Sequence, residues 1–165
     1  MRAYAPGLDD VTLAHWWDHL ATTGDLLTLF PPKVHGLAAF LARFQAPTLL
    51  LGAVDDQGIS AAVWGTPWHS GAEVGLWVRA GRRRTRAALA DVEAGIGTLL
   101  ARWPVLVALT HDQSRRDLYA HFGVVMSEAP IPSLLEGHGA YVGWLTADTF
   151  TRRVQPAVAA AVVAA

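Results

Sequence analysis

Between Thr85 and Leu109 the sequence leaves little freedom. Leu89, Val92, Ile96, Leu99 and Trp103 recur at steps of three and four, which puts one apolar stripe along a helix. Pro104 stops that helix, because proline lacks the N–H and clashes with the preceding turn. Val105 to Leu109 follows at once as a near-continuous aliphatic run, the mark of a strand covered on both faces. A helix that feeds directly into such a strand is the second half of a crossover, and a parallel crossover needs about a dozen residues or more. The strand at Val105 to Leu109 is therefore expected to run parallel to one at Val74 to Val78.

An antiparallel meander precedes the crossover. Thr48 to Val54 reads as a buried strand, closed by Asp55-Asp56-Gln57-Gly58, a hairpin signal. Ile59 to Trp68 is the next strand, with Pro67 confined to its end or to an edge. His69-Ser70-Gly71-Ala72 turns the chain into Glu73 to Arg79.

Ahead of the meander, residues 2–6 fit a short edge strand. Gly7-Leu8-Asp9-Asp10 then offers a turn and a helix cap before Leu13, Trp16, Trp17 and Leu20, which sit at helical spacing. Gly24-Asp25 breaks that helix. A second helical region, interrupted by Pro31-Pro32, carries Leu37, Phe40, Leu41 and Phe44 on one face. Beyond the crossover, Ser114 to Phe122 reads as a short helix with Gly123 just past its end. Two last strands, Val124 to Glu128 and Tyr141 to Leu145, flank a loop at Ala129 to Gly139 rich in Pro and Gly. The fold class is α/β in the broad sense (α+β), with a mixed, mostly antiparallel sheet flanked by helices. One domain is expected over residues 1–153, with an apolar tail at 154–165.

Composition narrows the function classes. A chain of 165 residues suits one domain. Without cysteine, disulfides and thiolate metal sites are excluded. A net charge of −1 gives no global pull toward nucleic acid. No apolar run approaches the ~20 residues of a membrane span, and the first residues lack the apolar core of a secretory signal, so a cytoplasmic or virion location is expected. His15 and His19 are four apart but lack the glutamate of a zinc helix, so no metal is expected. The hydrophobic share is 52% against 16% charged, below the usual charged share of about 25%. Either the core is large or apolar surface faces a partner. The tail from Val154 to Ala165 has no charged side chain and is expected to dock, with a neighbouring subunit included in the dock.

Two stretches carry a family resemblance. Val105 to Gly123 contains a strand followed by Asp112-Gln-Ser-Arg115-Arg-Asp-Leu118-Tyr119-Ala-His-Phe-Gly123. The turn into the long helix reads Arg82-Arg83-Arg84-Thr85-Arg86-Ala87. With the element order, these resemble the GNAT superfamily of N-acetyltransferases, most firmly over Thr48 to Val125. The first stretch is similar to the family pattern N-x-x-A-x-x-L-Y-x-x-x-G-F. Leu118, Tyr119 and Gly123 match, while Asp112 takes the Asn position, Arg115 the Ala position and Val124 the final Phe position. The second is similar to [Q/R]-x-x-G-x-[G/A], with Thr85 in the Gly position. Small residues there let backbone N–H groups and a helix N-terminus meet a pyrophosphate.

The resemblance implies acetyl-CoA as cofactor, held by Val78, Arg82, Arg83, Arg84, Thr85, Arg86, Ala87 and Asp112. The four arginines offer charge and bidentate hydrogen bonds; a solvated basic turn is the plainer alternative. Tyr119 is the implied acid for the leaving thiolate, or else a tyrosine packed under the sheet with its hydroxyl satisfied. Glu73 is the implied base for a small-molecule or protein amine, or else an exposed turn carboxylate. His111, at the C-terminal end of a buried strand, is a further candidate contact.

Glu93-Ala94-Gly95-Ile96-Gly97-Thr98 mimics the glycine loop but lies too near Pro104 to leave room for a crossover helix. Gly95 and Gly97 then fall inside the helix, where close packing on the sheet is the expected reason for them. Trp64, Trp68 and Trp77 on adjacent strands line an acceptor cleft, or else belong to the core or a partner interface.

Two functions follow. One is an acetyl-CoA-dependent N-acetyltransferase with a degenerate cofactor loop. The other is a non-catalytic structural or assembly protein on the same fold, of the kind phages place in virions.

Overall fold

In a computed structural model of the chain, residues 5–6, 8–29, 36–135 and 138–152 are described. The apolar tail at 154–165 and the Pro31-Pro32 break lie outside them. Strands β1 (Ala5–Pro6), β2 (Leu49–Asp55), β3 (Gly58–Trp68), β4 (Gly71–Val78), β5 (Val105–Thr110), β6 (Val125–Met126), β7 (Ile131–Leu135) and β8 (His138–Thr146) are accompanied by helices. These are α1 (Asp10–Thr23), α2 (Asp25–Leu29), α3 (Leu37–Arg43), α4 (Arg86–Arg102) and α5 (Gln113–His121). The sheet order is β1-β2-β3-β4-β5-β8-β6, with β7 on β8. β4 and β5 pair in parallel through Ala72↔Leu106 and Glu73↔Val107, as the crossover pattern requires. The pairs β1–β2, β2–β3, β5–β8, β6–β8 and β7–β8 are antiparallel. Among the described residues no helix is long and apolar enough to cross a membrane.

The chain divides into two compact units. The first comprises Met1–Thr66 with Gly75–Ile96, and the second Pro67–Val74 with Gly97–Ala165. The core of the first unit is aromatic. Trp16 lies 5.4 Å from Phe40, 5.6 Å from Phe44, 6.2 Å from Trp64 and 5.6 Å from Trp77 between ring centroids. α1 delivers Leu13, Trp16 and Leu20 to this core from one face. Asp9 starts the helix, its carboxylate accepting from the Thr12 N–H at 2.8 Å, and Gly24 ends it at φ 76°, a conformation glycine adopts without strain.

The second unit is built on β8, which pairs with β5 from Val105↔Thr146 to Thr110↔Tyr141. Leu99, Leu106, Ala108 and Leu145 are buried there. Gly123 follows α5 at φ 87°, as expected of a residue just past a helix end.

Two sequence expectations need correction. The stretch Ala129 to Gly139 is not a plain loop, since β7 and the start of β8 form a hairpin within it. Pro132 hid that strand, yet proline is tolerated where a strand leaves one edge unpaired. The second correction concerns Gly97. A Cβ built there meets just the Phe150 ring at 3.9 Å, an ordinary contact, so close packing does not explain the glycine. Gly97→Ala is expected to stabilise the protein by about 0.5–1 kcal/mol, read as a higher midpoint in thermal unfolding; a lower midpoint contradicts the packing described.

Candidate functional site

The turn between β4 and α4 is assembled from short-range bonds. Ala80–Arg82 form one 3₁₀ turn, and the Thr85 N–H then donates to the Arg82 carbonyl at 3.1 Å. Arg83 has φ −55° and ψ 135° and Arg84 has φ 72°, the angles of a type II turn. Thr85 caps the helix: its hydroxyl oxygen accepts from the Ala88 N–H at 3.2 Å and its carbonyl from the Leu89 N–H at 3.1 Å. The left-handed residue is Arg84, while Thr85 stands where a hydroxyl side chain is favoured.

The four arginines do not act alike. The Arg82 guanidinium turns inward, donating to the Ser60 hydroxyl at 2.6 Å and lying 3.9 Å from Asp55 and 3.6 Å from Asp91. Arg83 bonds to Asp25 at 2.7 Å and to the Val78 carbonyl at 3.0 Å. Their backbone N–H groups are also taken, both by the Arg79 carbonyl at 2.8 and 3.1 Å. Arg82 and Arg83 thus brace the turn.

Arg79 completes the brace, pairing with Asp55 at 3.0 Å and bonding to the Ile59 carbonyl at 2.7 Å. Burial pushes the Asp55 carboxyl up. The Gln57 N–H and the guanidiniums of Arg79 and Arg82 outweigh that, so the group rests below its ordinary value.

What the brace leaves over matters most. Arg84 and Arg86 are exposed, and no carboxylate among the described residues pairs with either. The N–H groups of Arg84, Arg86 and Ala87 have no acceptor among the described residues. The last two belong to the first turn of a 17-residue helix, whose N–H groups lack intrahelical partners. Among the described residues, two uncompensated cations thus stand beside three unclaimed donors, a set whose chemistry suits an anion.

The remaining candidates lie in the second unit. Tyr119, on α5, is 7% exposed, and its hydroxyl donates to the Val74 carbonyl at 3.3 Å. Burial pushes its phenol up to about 12; Arg115 opposes this and Glu73 adds to it. Glu73 is half-buried within β4, and its carboxylate takes no hydrogen bond or ion pair among the described residues. Asp112 precedes α5. Its N–H donates to the buried Thr110 hydroxyl at 3.1 Å, and its carbonyl accepts from the Arg116 N–H at 3.0 Å. His111 beside it is exposed. Trp64 and Trp77 belong to the core of the first unit, whereas Trp68 is 53% exposed.

The sequence alone did not reveal Asp25, Ser60, Asp55 and Asp91 as partners of this turn. One signal was present: Asp91 interrupts the apolar approach to Val92, a place where a carboxylate needs a cation.

No protein-family model matches the chain, and no curated protein matches it in sequence. Solved structures do resemble it. Mutant forms of the spermidine/spermine N-acetyltransferase from Vibrio cholerae superpose with a TM-score of 0.68 at 9% identity, covering 92% of this chain and 96% of that one. The ribosomal-protein-S5-alanine acetyltransferase from Vibrio fischeri gives 0.64 at 14% identity, over 91% and 96%. A putative acetyltransferase of the GNAT family from Desulfovibrio desulfuricans gives 0.63 at 18% identity, over 87% and 98%. At such identities the likeness is one of architecture, and it shows that this chain has the GNAT fold.

Proposed function

We propose that the protein is an N-acyltransferase that uses acetyl-CoA and acts in the cytoplasm. The observation that carries this reading is the head of α4, where three N–H donors and two guanidiniums are unclaimed among the described residues. That set suits a diphosphate diester, with its two ionised oxygens. Arg84 and Arg86 bind by charge, and the N–H groups of Arg84, Arg86 and Ala87 orient the anion. Thr85 acts indirectly, as the cap that fixes the first turn. Val78 and Asp112 are assigned to the same cofactor by resemblance.

When bound, acetyl-CoA supplies the acyl group as a thioester. The acceptor is an amine, small-molecule or protein; the polyamine and ribosomal-protein enzymes of like fold act on acceptors of these two kinds. Glu73, a carboxylate without a described partner, takes the proton the amine must lose. Tyr119 holds its proton at Oη at neutral pH. By resemblance Tyr119 is assigned as the proton donor to the leaving thiolate.

The second reading, a non-catalytic assembly protein on this fold, draws on the same hydroxyl, which is buried and already given to Val74. Release of free thiol from acetyl-CoA, measured with spermidine and with peptides bearing free N-termini, separates the two. Amine-dependent release that falls in Glu73→Gln, with coenzyme A binding retained, supports the enzyme. Binding without release for any amine selects the second reading.

A further inference from the structure

We propose that Asp25 is a positioning residue for the anion-binding turn, acting through Arg83; the proposal rests on the reading of that turn as the coenzyme A site. Asp25 opens α2 directly after Gly24. One of its oxygens, Oδ2, accepts from the Arg83 guanidinium at 2.7 Å and from the Trp77 indole N–H at 2.9 Å. The same guanidinium donates through Nε to the Val78 carbonyl at 3.0 Å. Arg83 is therefore stapled at one end to the last carbonyl of β4 and at the other to α2.

The staple matters because the turn is not the one its residues prefer. A type I turn asks for no left-handed residue, whereas type II puts one at its third position and favours glycine there. Here that residue is Arg84, at φ 72°. The two turn types differ by a flip of the peptide between Arg83 and Arg84, which reverses the direction of the Arg84 N–H. Left to local preference, two arginines would take the type I form and turn that donor away. Arg83, held at both ends of its side chain, resists the flip. An ion pair on open surface would do little, but the Asp25 side chain is 19% exposed and shared with an indole, while Arg83 is 50% exposed.

Charge and positioning predict opposite results for Asp25→Asn. By charge alone, losing a carboxylate and freeing a cation beside the site tightens anion binding. By positioning, the turn relaxes and binding weakens. The test is titration of the full chain with coenzyme A for wild type, Asp25→Asn, Arg83→Ala and the double variant. Amide hydrogen exchange over residues 82–88 is read alongside. Each single variant is expected to weaken binding about tenfold, the double variant no more than either. Exchange at the turn is expected to rise in all three variants. Equal or tighter binding in Asp25→Asn, or unchanged exchange, overturns the proposal. If the wild type binds no coenzyme A, the cofactor reading fails on its own, and the exchange contrast still decides the role of Asp25. If Asp25→Asn does not fold, the half-exposed Arg83→Ala decides by exchange at the turn, since losing its cation weakens binding under either reading.

Discussion

Replacing Arg84 and Arg86 together by alanine is expected to weaken coenzyme A binding by about a hundredfold or more, since a hydrogen bond to a charged group contributes roughly 1.5–3 kcal/mol. The other three arginines of the region cannot compensate, because Asp55, Asp91 and Asp25 hold them. Both side chains are exposed, so the loss should shrink as salt rises and screens the wild-type attraction. Folding should be nearly unaffected, because neither side chain has a partner to lose among the described residues. Isothermal titration at two salt concentrations checks this. Wild-type affinity in the double variant would remove these residues from any cofactor role.

Gly75→Ala is expected to cost about 3 kcal/mol, the upper part of the range for forcing extra atoms into a packed core. In a chain of this size that lowers the thermal midpoint by about 10 °C. A Cβ built on Gly75 falls inside the Trp64 indole. The ring has no room to retreat, with Phe44 at 5.6 Å and Trp16 at 6.2 Å between centroids. Gly97, open on the side its Cβ would fill, makes the contrast. The same substitution should move the midpoint up at one glycine and down at the other. An unchanged midpoint for Gly75→Ala sinks the packing account of the first unit.

The crossover was legible because its signal is local and periodic. The stripe from Leu89 to Trp103 and the run from Val105 to Leu109 each state their own burial, and together they imply the parallel pairing of β4 with β5. The Ile131–Leu135 strand was not legible, since Pro132 mimics a loop and the strand owes its form to pairing with β8. The anion site was half legible. Four arginines within Arg82 to Arg86 announced a concentration of positive charge. Which of them face inward is set by carboxylates as far away in sequence as Asp25, 58 residues from Arg83, and no local pattern encodes that. The left-handed residue of the turn, Arg84, was likewise not legible, because its place depends on where the 3₁₀ turn ends.

Isothermal titration of the purified protein with acetyl-CoA and with coenzyme A tests the central claim most directly. The head of α4, with N–H groups and two guanidiniums unclaimed among the described residues, predicts binding of both ligands in the micromolar range, weakened by salt. No heat with either ligand, at low salt and with folded protein, would contradict the account.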